Sequence, residues 1–197
     1  FLYTLVEKYR GLHIPQSTSV YESLIHSIIG QQISVHVANM LRELVIETYG
    51  TKHEYNGITL YTFPSAEKFS NVTVSELQQN KFSRRKAEYI TDISKLQANG
   101  EISLEELRYE SNERASEILI ALRGIGPWTI NWLLMGSLGY DDAFPAGDLA
   151  LQKAMTKVPN GPNIISSAES LNFSERWRPF RSWVTAYIFE AIRNGHL

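Results

Sequence analysis

Residues 122–134 read LRGIGPWTINWLL. Apolar residues on both sides recur at helical spacing, yet two glycines and a proline interrupt them within four positions. Glycine reaches φ > 0 and, with no side chain, lets the backbone approach another group closely. Proline is tolerated in the first turn of a helix, where its missing N–H would have no partner anyway. The stretch therefore predicts a helix ending near Leu122, a turn through Arg123-Gly124-Ile125-Gly126, and a second helix opening at Pro127. Ile125 should point back and pin the turn to the core. The first N–H groups of the second helix lack intrahelical partners and lie at the positive end of its dipole, which suits a phosphate. A plain glycine-rich turn between two packed helices explains the glycines as well, so context has to decide.

That context is helical almost throughout. Residues 21–29 place Leu24, Ile25, Ile28 and Ile29 on one stripe, ended by Gly30. Ser34 precedes a run with Val37, Met40, Leu41, Leu44 and Val45 at three- and four-residue spacing. Ser65 opens another short helix. Thr73-Val74-Ser75-Glu76 and Ser103-Leu104-Glu105-Glu106 have the capping-box pattern. Ser83 caps a helix that stops at Asn99-Gly100, Asn112 caps ERASEILIAL, and Asp148 caps LALQKAM. Ser174 is expected to cap a long last helix reaching Arg193. Residues 51–63 read as a loop with room for a short extended piece, and 157–165 as a loop. The class is all-α, about ten short helices without an internal repeat.

Composition removes several chemistries. With no cysteine there is no disulfide, thiol catalysis, iron–sulfur cluster or cysteine-ligated zinc. The five histidines form no metal-binding pair at helical spacing. A net charge of −2 argues against a globally basic nucleic-acid surface but not against a local phosphate site. No apolar run approaches the roughly 20 residues that span a bilayer. The first residues, FLYTLVEKYR, make a poor signal peptide, and the start at Phe1 suits a trimmed or longer protein.

Four ordered segments turn the hairpin into a specific resemblance. The pattern L-x-G-I-G-x-W-T is followed by Phe144-Pro145-Ala146-Gly147 and by Asp148, 22 residues past Gly126. LIHSIIGQQISVHVA (24–38), FSRRKAEYI (82–90) and RWRPFRSWVTAYIFE (176–190) accompany it. Together, over roughly residues 20–195, they resemble the helix–hairpin–helix superfamily of DNA glycosylases, in its 3-methyladenine DNA glycosylase II branch. Larger bacterial members carry an extra N-terminal β-rich domain that has no counterpart in this sequence.

The resemblance implies a six-helix unit over about 20–135 that ends in the hairpin at 122–127. Residues 1–19 and 136–197 would form a second helical unit, with DNA and base bound in a cleft between the two. It implies a monofunctional enzyme that flips an alkylated purine (3-methyladenine, 7-methylguanine, with ethenoadenine or hypoxanthine as further candidates) and hydrolyses its bond to deoxyribose. Asp148 would be the catalytic carboxylate. Trp128, Trp132, Tyr187, Phe189 and Gln31 would line the base pocket, and Gln32 would plug the gap in the duplex, where other members use leucine. Gly124, Ile125, Gly126 and Thr129, with Arg85 and Lys86, would contact DNA. Members that also cut the strand carry a lysine two residues past the second hairpin glycine, to form a Schiff base; here Trp128 stands there. No cofactor is implied, and an ion on the hairpin carbonyls, as in some relatives, is left open. The partner would be duplex DNA with alkylated bases, bound by a monomer without a membrane, in the nucleoid of a bacterium or archaeon or the nucleus of a eukaryote.

From the residues alone, Asp141 and Asp142 read as solvated turn acids. Arg84-Arg85-Lys86, and likewise Arg176, Arg178 and Arg181, read as solvated helix faces or as phosphate contacts. The alternatives are a non-catalytic DNA-binding module on the same hairpin and a related glycosylase for another lesion.

Overall fold

The computed structural model describes residues 1–161 and 166–197. Among them are eleven α-helices: α1 (Leu2–Lys8), α2 (Val20–Gly30), α3 (Val35–Tyr49), α4 (Ala66–Ser70), α5 (Val74–Gln79), α6 (Arg84–Ala98), α7 (Asn112–Ile120), α8 (Pro127–Gly136), α9 (Leu149–Met155), α10 (Ser167–Ser174) and α11 (Arg181–Arg193). Strands β1 (Thr51–Tyr55) and β2 (Ile58–Thr62) interrupt the helical order. None of these helices is long and apolar enough to cross a membrane. The chain divides into two compact units, one of Ser19–Ser111 with Glu117–Ile125, the other of Phe1–Thr18, Asn112–Ser116 and Gly126–Leu197.

In the unit of Ser19–Ser111 and Glu117–Ile125, α2 buries its stripe completely, since Leu24, Ile25, Ile28 and Ile29 are all 0% exposed. It packs with α3 and α6, and α4 and α5 also pack on α6. Burying four such side chains contributes about 6–12 kcal/mol of transfer free energy before chain entropy is counted. The local signals set the helix starts. Ser34, Ser65 and Ser83 each accept a backbone N–H three residues on, and Thr73 with Glu76 forms the reciprocal capping box. The Ser103 pattern does not form one. Its Glu105 carboxylate instead takes the N–H groups of Val20 at 2.8 Å and Tyr21 at 3.2 Å, capping α2 from 85 residues away. On α3 the expected core positions Val37 and Met40 are exposed, while Ala38, Leu41 and Val45 face inward.

In residues 51–63 the extended piece is larger than expected and takes up nearly the whole segment. Thr51 pairs with Thr62 and Tyr55 with Ile58 in an antiparallel hairpin. Asn56 at φ 49° and Gly57 at φ 76° form its two-residue turn, a geometry that Asn-Gly favours.

The other unit has its core around Phe144, Leu151, Met155, Phe173, Trp177, Val184 and Ile188. The long last helix is broken. Ser174 closes α10, a 3-10 turn covers Glu175–Trp177, and α11 begins only after Pro179, with Phe180 at its N-cap. Of the expected 157–165 loop, 162–165 lie outside the described residues. The boundary expected near 135 falls at Gly126 instead, so α8 belongs with α9–α11.

Candidate active site

The hairpin's two glycines do different work. Gly124 has φ +87°, and a Cβ there would lie 2.3 Å from the Tyr89 ring. Glycine is thus demanded twice, by the backbone and by the Tyr89 ring of α6. Gly126, at the N-cap of α8, is extended at φ −127°, and nothing lies within 4 Å of an added Cβ. Any residue could adopt that backbone, so the missing side chain there only leaves the first N–H groups of α8 approachable. Pro127 occupies the first turn as expected. Ile125 is 6% exposed and anchors the turn, its N–H reaching the Leu122 carbonyl at 3.1 Å. Thr129, expected to contact DNA, is 2% exposed and offers no side-chain surface.

The remaining expected DNA contacts fare unequally. Gln32 is exposed with φ 58°, a left-handed conformation rarely adopted by glutamine and typical of functional turns. Gln31, expected in the base pocket, donates its Nε2 to the Gly124 carbonyl at 3.0 Å and so braces the hairpin. Lys86 donates to the Ile29 carbonyl at 2.8 Å, closing the C-terminus of α2, and burial lowers its pKa. Arg84 pairs with Glu88 at 2.9 Å, and Glu88 also receives Arg123 at 2.7 Å. Arg85 is exposed.

Asp148 caps α9. Its Oδ1 accepts the N–H groups of Ala150 and Leu151, each at 3.0 Å, and its Oδ2 accepts the Trp128 indole N–H at 3.1 Å. A carboxylate offers about two acceptor positions per oxygen. Those of Oδ1 are filled, and one on Oδ2 has no partner among the described residues. Trp128 meets Trp132 edge-on at 6.2 Å, and Trp132 meets Phe189 at 5.3 Å. Three of the expected pocket aromatics thus form one chain. Tyr187, half-buried on α11, has no ring contact with them among the described residues. A cavity of about 440 Å³ opens beside Trp128, lined by Pro127, Asn131, Phe144, Ala146, Gly147 and Leu171 among others.

The competing acids are tied down. Asp142 accepts from Arg181 at 2.7 Å and from Arg178 at 2.7 Å, and Asp141 accepts the Trp183 indole at 2.8 Å. Asp141 stays exposed in its turn, whereas Asp142 is fastened rather than solvated. So is Arg181, whose side chain is 8% exposed. Arg176 lies over the Phe173 ring at 3.8 Å.

Residues 25–179 match the family described as HhH-GPD superfamily base excision DNA repair protein. The chain belongs to that superfamily. This HhH-GPD chain is 33% identical over 185 residues to a DNA-3-methyladenine glycosylase of Bacillus subtilis, a match that covers 94% of it and 61% of that protein. The chain thus spans about three fifths of that relative's length. Its fold matches a 3-methyladenine DNA glycosylase from Archaeoglobus fulgidus with a TM-score of 0.85 and 35% identity, over 98% of this chain and 65% of that one. It also matches the Schizosaccharomyces pombe 3-methyladenine DNA glycosylase Mag1 in complex with abasic DNA, with a TM-score of 0.80 and 28% identity, over 97% and 90% of the two chains.

Asn131 and Gln152 were missed from the sequence. Both brace the loop that carries Asp148: Asn131 takes the Phe144 N–H at 2.8 Å, and Gln152 donates to the Ala146 carbonyl at 2.7 Å. The available signal for Asn131 was a polar residue inside the apolar run of α8.

Proposed function

We propose that the protein is a monofunctional DNA glycosylase that removes alkylated purines, 3-methyladenine and 7-methylguanine foremost, from duplex DNA and leaves abasic sites. The observation that carries this reading is Asp148, a carboxylate held by three N–H donors, with one acceptor position open, against Trp128 at the start of the hairpin helix. The names of its relatives support the same lesion class, and the bound abasic DNA of one neighbour is the product such a reaction leaves.

In this mechanism the N–H groups at the start of α8 take a DNA phosphate. The exposed, strained Gln32 fills the gap left by the flipped nucleotide, whose extrusion costs a few kcal/mol. A cationic N-alkylpurine is favoured by the electron-rich face of Trp128, by about 0.5–2 kcal/mol. The C1′–N bond breaks with its electron pair leaving on the base, which becomes neutral. The positive charge passes to the sugar, and Asp148 stabilises it. Water then bonds to C1′ and gives up its proton, with the open Oδ2 position as the first acceptor. Trp128 occupies the place of the Schiff-base lysine, so no strand cleavage follows. The enzyme works as a monomer on DNA.

The test is a duplex rich in N-methylpurines. Free 3-methyladenine and 7-methylguanine should appear, with strand breaks only after alkali. Breaks before alkali would contradict the monofunctional reading. Binding without release would favour a non-catalytic hairpin module, which has no need of the Asp148–Trp128 contact.

A further inference from the structure

The segment from Phe144 to Asp148 is gripped at both ends by one helix. Asn131, one turn beyond Pro127 on α8, accepts the Phe144 N–H on Oδ1 at 2.8 Å and donates Nδ2 to the Pro127 carbonyl at 2.8 Å. At the other end Trp128 donates to Asp148 Oδ2 at 3.1 Å. Asn131 and Trp128 are three residues apart, hence neighbours on the helix surface. Between the grips the segment is stiffened from within. Ala146 N–H reaches the Phe144 carbonyl, and Asp148 N–H the Pro145 carbonyl, each at 2.8 Å. Phe144 itself is 2% exposed and embedded in the core. α8, the two grips and the segment close into a ring.

We propose that Asn131 is a positioning residue for Asp148: by holding Phe144 to α8 it sets the distance at which the Asp148 carboxylate meets the Trp128 indole N–H. The inference rests on the reading of Asp148 as the catalytic carboxylate. Asn131 touches no DNA in this role and acts only through the loop. A carboxylate that stabilises a sugar cation must be placed to about 0.5 Å. A displacement of about 1 Å can lower a rate by about a hundredfold. An asparagine inside an apolar helix run is otherwise unfavourable, and here both halves of its amide are bonded.

Two variants separate positioning from bulk stability. Asn131→Leu removes both polar groups at similar volume. Asn131→Asp keeps the oxygen that accepts the Phe144 N–H. Three quantities are read: the single-turnover rate on N-methylpurine DNA, affinity for an abasic-analogue duplex, and the NMR resonance of the Trp128 indole N–H, assigned by its loss in Trp128→Phe. Asn131→Leu should lose about a hundredfold in rate at unchanged affinity. Its Trp128 resonance should move toward the position seen in Asp148→Asn. Asn131→Asp should recover most of the rate and the wild-type resonance.

An unmoved resonance and intact rate in folded Asn131→Leu overturn the proposal. If the leucine variant does not fold, Asn131→Asp decides alone, and loss of both signals in it overturns the proposal. If the wild type releases no base, the glycosylase reading fails, while the resonance still decides whether Asn131 sets the Asp148–Trp128 contact.

Discussion

Asp142 and Asp148 lie six residues apart at the two ends of one connection, and they are held by opposite kinds of donor. Asp142 faces two guanidinium groups, Arg181 at 2.7 Å and Arg178 at 2.7 Å, and both also pair with Glu175. This network fastens the start of α11 to the loop. Its positive charges cancel the field of Asp142. Asp148 has no cation within salt-bridge distance among the described residues. Its donors are two backbone N–H groups and one indole. Neutral donors orient a carboxylate without cancelling its charge, so the field at the site still favours a developing cation. On the proposed function, a structural aspartate and a working one thus differ in the charge of what holds them.

Substitutions at four positions sharpen that contrast, from the largest effect to the smallest. Arg181→Met should destabilise by about 2–3 kcal/mol, less than a fully broken buried pair costs because Asp142 keeps Arg178. Thermal unfolding should then fall by about 4–12 °C, with excision per folded molecule unchanged. A large rate loss in the folded protein would make the arginine network part of the site.

Gly124→Ala should cost about 2 kcal/mol or more, from the positive φ and the Tyr89 ring together. A variant as stable as the wild type would mean that Tyr89 moves freely.

Trp128→Phe keeps a ring face and removes the donor to Asp148. Excision of cationic and neutral bases should fall alike, by about tenfold. Trp128→Ala should add a further loss confined to cationic bases. A phenylalanine variant with full activity would show that the indole N–H does not place the carboxylate.

Gly126→Ala is the mildest in stability, because its backbone is extended and its surroundings are open. It should leave the melting temperature unchanged and weaken DNA binding. Unchanged binding would move the phosphate away from Gly126.

Local chemistry explains how much of this could be read in advance. The α2 stripe, the caps at Ser34, Ser65 and Ser83, the turn through Gly124 and the Asp148 cap are patterns within four or five residues, and each appears in the structure. What was missed depends on distant partners. Ser103 and Glu106 have capping-box spacing, yet it is Glu105 between them that acts, serving Val20 and Tyr21, which give it several N–H groups at once. Those bonds and the Ser19 hydroxyl hold it below the usual carboxylate range, against the upward pull of burial. Arg181 looked like a surface charge because Asp142 is 39 positions away. The sequence of 51–63 suggests no more than a loop with room for a short extended piece because the exposed strands carry no clean alternation, although Asn56-Gly57 is a hairpin signal. At the site, Asp148 and Trp128 were both singled out, but the bond between them, and Asn131 behind it, required the fold.

The central claim is that Asp148 works through charge rather than as a cap alone, and Asp148→Asn tests it most directly. Asparagine also caps helices well, so the fold should stand and affinity for an abasic-analogue duplex should hold. Release of 3-methyladenine in a single turnover should fall by at least about a hundredfold. An asparagine variant that releases the base at the wild-type rate would leave Asp148 a helix cap and contradict the account.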